Sequence, residues 1–170
     1  KVRYKQTLFG ISWAIMQPFL TMVVFTLFFG TLANIPSENI PYPLFTYAAL
    51  VPWTLFANGI TRGSISLVQD AHMIQKIYFP RLLTPMASIL APLADFLFSL
   101  IVLVGLMFYF HYPPTVTMFW LPVFLLLELA LTLGVGLWLS AINVEFRDVA
   151  FATPFLIQVW LFASPVIYSV

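Results

Sequence analysis

Asp95 and Glu128 lie within long apolar stretches, and a carboxylate in hydrocarbon does chemistry only under narrow conditions. A charge at the bilayer centre costs roughly 2.5–3.5 kcal/mol or more. The stretches around these two acids hold no Lys or Arg to offset that cost. Each must be protonated, hydrogen-bonded between helices, or turned to a hydrated cavity. A proton-coupled carrier would use such a pair; helix–helix bonding is the plainer role. Trp53, Phe56, Trp138, Trp160 and Phe162 form a second group. Aromatic rings stack on the apolar faces of sugars and do so along a polymer without reading its sequence, although most rings in so apolar a chain face lipid or other helices. Asp70, His72, Lys76 and Arg81, with Tyr78-Phe79-Pro80 among them, form a third. An aromatic pair on a short charged segment suits a contact surface, and a solvated loop is the alternative. Arg147 and Asp148 are the fourth: the helix dipole favours Asp148 in a first turn, and Arg147 reaches lipid headgroups by snorkelling. Anchoring and coupling fit that pair equally.

No enzyme centre is visible. The chain lacks Gly-x-Ser-x-Gly, His-Glu-x-x-His and a Gly-rich phosphate loop ending in Gly-Lys-Ser/Thr. It has no Cys, so disulfides and thiolate metal sites are excluded. We expect no catalytic, cofactor or metal residues, and any ATP and Mg2+ would be bound by a separate subunit. The net charge of +1 gives no nucleic-acid signal, because the basic residues flank apolar segments instead of forming a broad face.

The elements that must position these residues are membrane spans. Hydrophobic residues make up 62% of the chain and charged ones 8%, against roughly 25% charged in soluble domains. Arg3 to Ile15 reads as an amphipathic interface helix (3–15), with Tyr4, Leu8, Ile11 and Ile15 at helical spacing. Pro18 bends or restarts the chain. Five spans follow, at about 15–33, 44–61, 85–110, 118–142 and 149–170, each near the roughly 20 residues a bilayer requires. Gly134 and Gly136 suit close helix packing. All seven Lys and Arg fall at 1–5, 62–81 or 147, and none at 34–43 or 111–117. The positive-inside rule then places the N-terminus and the 62–84 and 143–148 loops in the cytoplasm. His72 and His111 fall on opposite sides of the membrane and share no metal. The chain starts with Lys1 and ends within an apolar run, so 1–170 reads as one membrane domain cut at both ends, with a final returning span absent.

Three segments carry a family resemblance: RYKQTLFGISWAIMQP (Arg3–Pro18), VQDAHMIQKIYFPRLLTP (Val68–Pro85) and NVEFRDV (Asn143–Val149). Together they resemble ABC-2 type permeases, and within these the subfamily that exports O-antigen, capsular and teichoic-acid polymers or polyol phosphates. The resemblance implies an all-α, polytopic domain of the ABC-2 exporter type, with five of six spans present. It implies a homodimer paired with two copies of an ATP-binding subunit, in the bacterial inner membrane, moving a lipid-linked polysaccharide. Arg3 and the segment carrying Asp70, His72, Ile74, Lys76, Tyr78 and Arg81 would touch that subunit, with Asp70–Tyr78 as the coupling helix. Arg147 falls where the family has its arginine-aspartate pair. Gln75 departs from the basic residue common at that position. Trp53, Phe56 and Trp160 would line the translocation path. An ABC-2 exporter of drugs or small lipids is the nearest alternative. A proton-coupled carrier using Asp95 and Glu128 comes next, and a structural scaffold last.

Overall fold

The computed structural model describes residues 12–28, 41–71, 80–112 and 115–164, and among these the chain forms helices and no strand. In order they are α1 (Ser12–Phe25), α2 (Tyr42–Gln69), α3 (Leu83–Leu90), α4 (Leu93–Tyr109), a 3-10 turn (Val116–Trp120), α5 (Leu121–Glu145) and α6 (Val149–Ala163). Two stretches are long and apolar enough to cross a bilayer: Leu83–Tyr109 with 27 residues and Met118–Glu145 with 28. Met16–Phe28 and Val149–Ala163 are apolar but shorter. The interface helix expected at 3–15 lies outside the described residues apart from 12–15, where α1 has already begun. Pro18 sits inside α1 and does not restart it.

Helix α2 runs through Gln69, so Arg62 lies on a helix where a loop was expected from 62 onward. The polar residues that read as loop satisfy themselves on the helix's own backbone. Thr61 donates its hydroxyl to the Ala57 carbonyl at 2.7 Å, Ser64 to Thr61 at 2.9 Å and Ser66 to Gly63 at 2.7 Å. Such back-bonding removes their need for water. The apolar stretch Leu83–Tyr109, where the span 85–110 was expected, is built from two helices, α3 and α4. The Ala91 amide closes α3 onto the Ala87 carbonyl at 3.0 Å, and Pro92, with no amide hydrogen to give, breaks the ladder before α4. That break places Asp95 in the first turn of a new helix, where the amide dipoles favour a carboxylate.

Helix α4 ends in a Schellman turn. Tyr112 donates to the Met107 carbonyl at 2.9 Å and His111 to Phe108 at 3.2 Å, with His111 at φ 56°. Glycine usually holds that left-handed position. Exchanging His111 for Gly is expected to raise stability by about 0.5 kcal/mol, the relief of strain less the added chain entropy. A thermal melt in detergent reads the change, and a lowered midpoint would show that the imidazole makes a compensating contact. At the far end of α5, Phe146 turns extended at φ −120° and ψ 98°. Asp148 then starts α6, its carbonyl accepting the amides of Phe151 and Ala152 at 3.0 Å each.

The chain divides into two compact units. Among the described residues the first contains α1, α2 as far as Thr54, and α4 from Ala94. Within it the fully buried Tyr47 donates its hydroxyl to the Ser99 carbonyl at 3.4 Å, joining α2 to α4. The second holds Leu55–Leu93 and Val116–Ala163, thus the rest of α2 with α3, α5 and α6.

Candidate functional site

The segment 70–81 connects α2 to α3, and the second unit shows how its two ends are held. Its described margins are plain. The Asp70 amide continues the ladder of α2 onto the Ser66 carbonyl at 2.9 Å. After Pro80 a turn brings the Leu83 amide to the Pro80 carbonyl at 3.0 Å, with Arg81 exposed. His72, Ile74, Lys76 and Tyr78 lie outside the described residues, as does Arg3.

Above these margins α2, α3 and α5 meet around one side chain. Ile89 of α3 is completely buried. It occupies a socket walled by Gly59 and Gly63 of α2 and Gly136 of α5. A Cβ on Gly136 would stand 2.7 Å from Ile89 Cδ1, and one on Gly63 would run into Ile89 Cγ1. A Cβ on Gly59 would stand 2.6 Å from Thr132 Cγ2 and 3.3 Å from the Ile89 carbonyl oxygen. Gly59 and Gly63 are four residues apart, so both face the same side of α2, the small-xxx-small arrangement that lets helices approach without a hydrophobic driving force. Gly134, expected to pack with Gly136, has open space around it. Two residues along a helix are about 200° apart, so the two glycines cannot share a face.

One hydrogen bond fastens the same junction nearer the segment: Asn143 Nδ2 of α5 donates to the Ser64 carbonyl of α2 at 2.9 Å, fully buried. The buried residues of α5 are Thr132, Gly136, Ser140 and Asn143, all small or polar, whereas Phe124, Leu126, Leu127, Leu131 and Trp138 are exposed and its other leucines half-buried. Asn143 Oδ1, Ser140 Oγ and Glu128 Oε1 are buried with no hydrogen-bond partner among the described residues. Leucine at Asn143 would remove the bond together with an orphaned oxygen while keeping the volume. We therefore expect Asn143→Leu to destabilise by less than about 1 kcal/mol and Asn143→Ala, which leaves a hole, by about 2 kcal/mol. Unfolding midpoints of the two variants check the order, and a costlier Leu would mean that the amide does more than bridge α2 and α5.

The intramembrane acids are placed on separate elements. Asp95 belongs to α4 in the first unit, where the Ser99 hydroxyl donates to its carbonyl at 3.0 Å. Glu128 belongs to α5 in the second, one turn before Thr132, whose hydroxyl donates to the Glu128 carbonyl at 2.7 Å. Two of the aromatic candidates do come together: Phe56 of α2 and Trp160 of α6 meet edge-to-face, with centroids 5.4 Å apart and planes at 87°. Phe56 is buried, while Trp160 is 44% exposed. Trp53 is half-buried in the other unit, and Trp138 and Phe162 point outward. Arg147 and Asp148 are exposed in the turn between α5 and α6. The sequence reading passed over the Gly59-x-x-x-Gly63 spacing, which was the visible signal for the socket.

Set against known proteins, residues 1–170 match the ABC-2 type transporter family from end to end. The chain is 31% identical over 169 residues to the O-antigen export system permease protein RfbA of Myxococcus xanthus, covering 99% of this chain and 64% of that protein. Two proteins of the same description from Klebsiella pneumoniae are 28% and 27% identical over 170 residues, each covered to 65%. The chain therefore spans just under two thirds of the length of these relatives.

Proposed function

The chain belongs to the ABC-2 type transporter family, and from that premise we propose that it is the membrane-spanning permease subunit of an ABC exporter of a lipid-linked polysaccharide. The observation that carries this reading is the unbroken similarity, along 99% of the chain, to permeases named for O-antigen export. The drug and small-lipid alternative has no comparable support. The permease acts as a homodimer with two ATP-binding subunits, which hold the ATP and Mg2+ that this chain has no phosphate loop to bind. It spans the bacterial inner membrane with its N-terminus and the 70–81 segment in the cytoplasm, an orientation that the distribution of Lys and Arg supports.

The mechanism follows from the segment's attachment. ATP binding closes the partner subunits, which press on the stretch carrying Asp70, His72, Ile74, Lys76, Tyr78 and Arg81. Arg3 and Arg147 lie on the same cytoplasmic side and steady the contact. Displacement passes into α2 and α3, the helices on either side of the segment, and alters the spacing of the spans. Trp160, part-exposed and backed by the buried Phe56, offers a ring face to passing sugars, a sequence-tolerant grip suited to a repeating polymer, and Trp53 is the aromatic candidate of the other unit. Asp95 and Glu128 serve helix packing, Asp95 by its place in the first turn of α4.

Two experiments test this. Tagged full-length permease, purified from native membranes, should bring down a soluble subunit carrying a Gly-Lys-Ser/Thr phosphate loop. Cells depleted of the permease should accumulate lipid-linked polysaccharide on the cytoplasmic face. Stable preparations without such a subunit, or normal surface polymer in depleted cells, would overturn the reading. Export that persists at constant ATP after the proton gradient is collapsed is the further expectation, and its loss would return Asp95 and Glu128 to a proton relay.

A further inference from the structure

We propose that Ile89 is the positioning residue that makes α3, α5 and the 55–69 part of α2 a single moving body, so that a push on the 70–81 segment reaches these helices undiminished; this rests on the permease reading above. Helix α3 is only eight residues long. On one side it follows the segment through the Pro80–Leu82 turn, and on the other the Ala91–Pro92 break separates it from α4. A short helix free at both ends would tilt under load and absorb the displacement within itself. Ile89 prevents that. Its Cγ2 lies 3.6 Å from the place of a Gly59 Cβ, its Cδ1 2.9 Å from that of Gly63 and 2.7 Å from that of Gly136. One branched side chain therefore touches two helices through three glycines. Isoleucine is stiff at χ1, which suits it to a fixed key where Leu or Met would give way. Closely packed interiors transmit displacement because they have no room to deform gradually. The Asn143–Ser64 bond holds α5 to α2 on the same side of the socket as the segment, so the body is fastened at two levels.

The test uses full-length permease with its ATP-binding partner in vesicles. Residues 1–170 contain no Cys, so, with any cysteine elsewhere in the protein replaced, spin labels can be introduced at Leu90 of α3 and Leu131 of α5, both exposed. The distance between them is expected to stay constant between nucleotide-free and ATP-bound states while export proceeds, and to broaden and shift with ATP in Ile89→Ala. A change beyond about 2 Å in the parent protein, the size of an ordinary helix shift, would overturn the interlock. Transport per ATP hydrolysed is the second readout. Ile89→Ala should lower it about fivefold and Ile89→Val, which loses only Cδ1, about twofold, with the folded yield of the valine variant unchanged. A merely structural Ile89 would lower yield and leave that ratio alone, and an unchanged ratio in folded variants would overturn the proposal. Absence of any ATP-driven export by the parent would instead sink the permease reading, so the two failures are distinguishable.

Discussion

Alanine at Gly63 is expected to destabilise the protein by about 2 kcal/mol, and alanine at Gly134 to stabilise it by up to about 1 kcal/mol. Both glycines lie within long helices, and in both the added methyl relieves the same backbone entropy penalty. The sign differs because of what the methyl meets. At Gly63 it enters the space of Ile89, with Cδ1 only 2.9 Å away and the Gly136 Cα at 3.7 Å behind it. Ile89 has nowhere to turn, since rotation away from Gly63 carries it toward Gly59 or Gly136. At Gly134 nothing lies within 4 Å. Thermal unfolding of both variants in one detergent checks the pair. Equal shifts would show that helix propensity alone governs these sites.

The same comparison shows what the sequence could and could not disclose. The apolar runs, the polar interruptions and the break in charge near 147 were enough to locate α4, α5 and α6, because helices in lipid must be long, apolar and internally bonded. Polar content near 62–66 was read as loop, although hydroxyls of Ser64 and Ser66 bond to their own helix, which periodicity does not register. The glycines of α5 were read as a pair by nearness in sequence, whereas the effective pair is Gly59 and Gly63, matched to a residue on another helix. Ile89 gave no local signal at all: its importance arises only because it packs on Gly63, which lies 26 positions earlier in the chain. For the segment 70–81 the charges and aromatics were visible in the sequence, whereas the end of α2 before it and the start of α3 after it were visible only in the structure.

Replacing Lys76 and Tyr78 together, as Lys76→Glu with Tyr78→Ala, is expected to reduce both permease-stimulated ATP hydrolysis and export by at least about tenfold, the equivalent of roughly 1.4 kcal/mol at a contact. Charge reversal acts on the attraction between partners, and loss of the ring removes apolar area that a small docking surface can least spare. ATP hydrolysis by the reconstituted complex, with and without the variant permease, measures it. The amount of permease in the membrane should be unaffected if the two side chains act at the docking contact. Unchanged coupling and export would sink the docking assignment while leaving the helix junction untouched.

The arrangement of α5 bears on how such a chain drifts over generations. Its outward positions, among them Leu126, Leu127, Leu131 and Trp138, are exposed. Exchange among Leu, Val, Phe and Met there changes little for as long as the bilayer remains the solvent. The inward letters Thr132, Gly136, Ser140 and Asn143 are those that a hydropathy plot discounts. They carry the address of the neighbouring helices. Two descendants of this protein could differ at most of their leucines and still assemble alike, whereas a bulky side chain in place of Gly136 would leave a helix that inserts correctly and packs poorly.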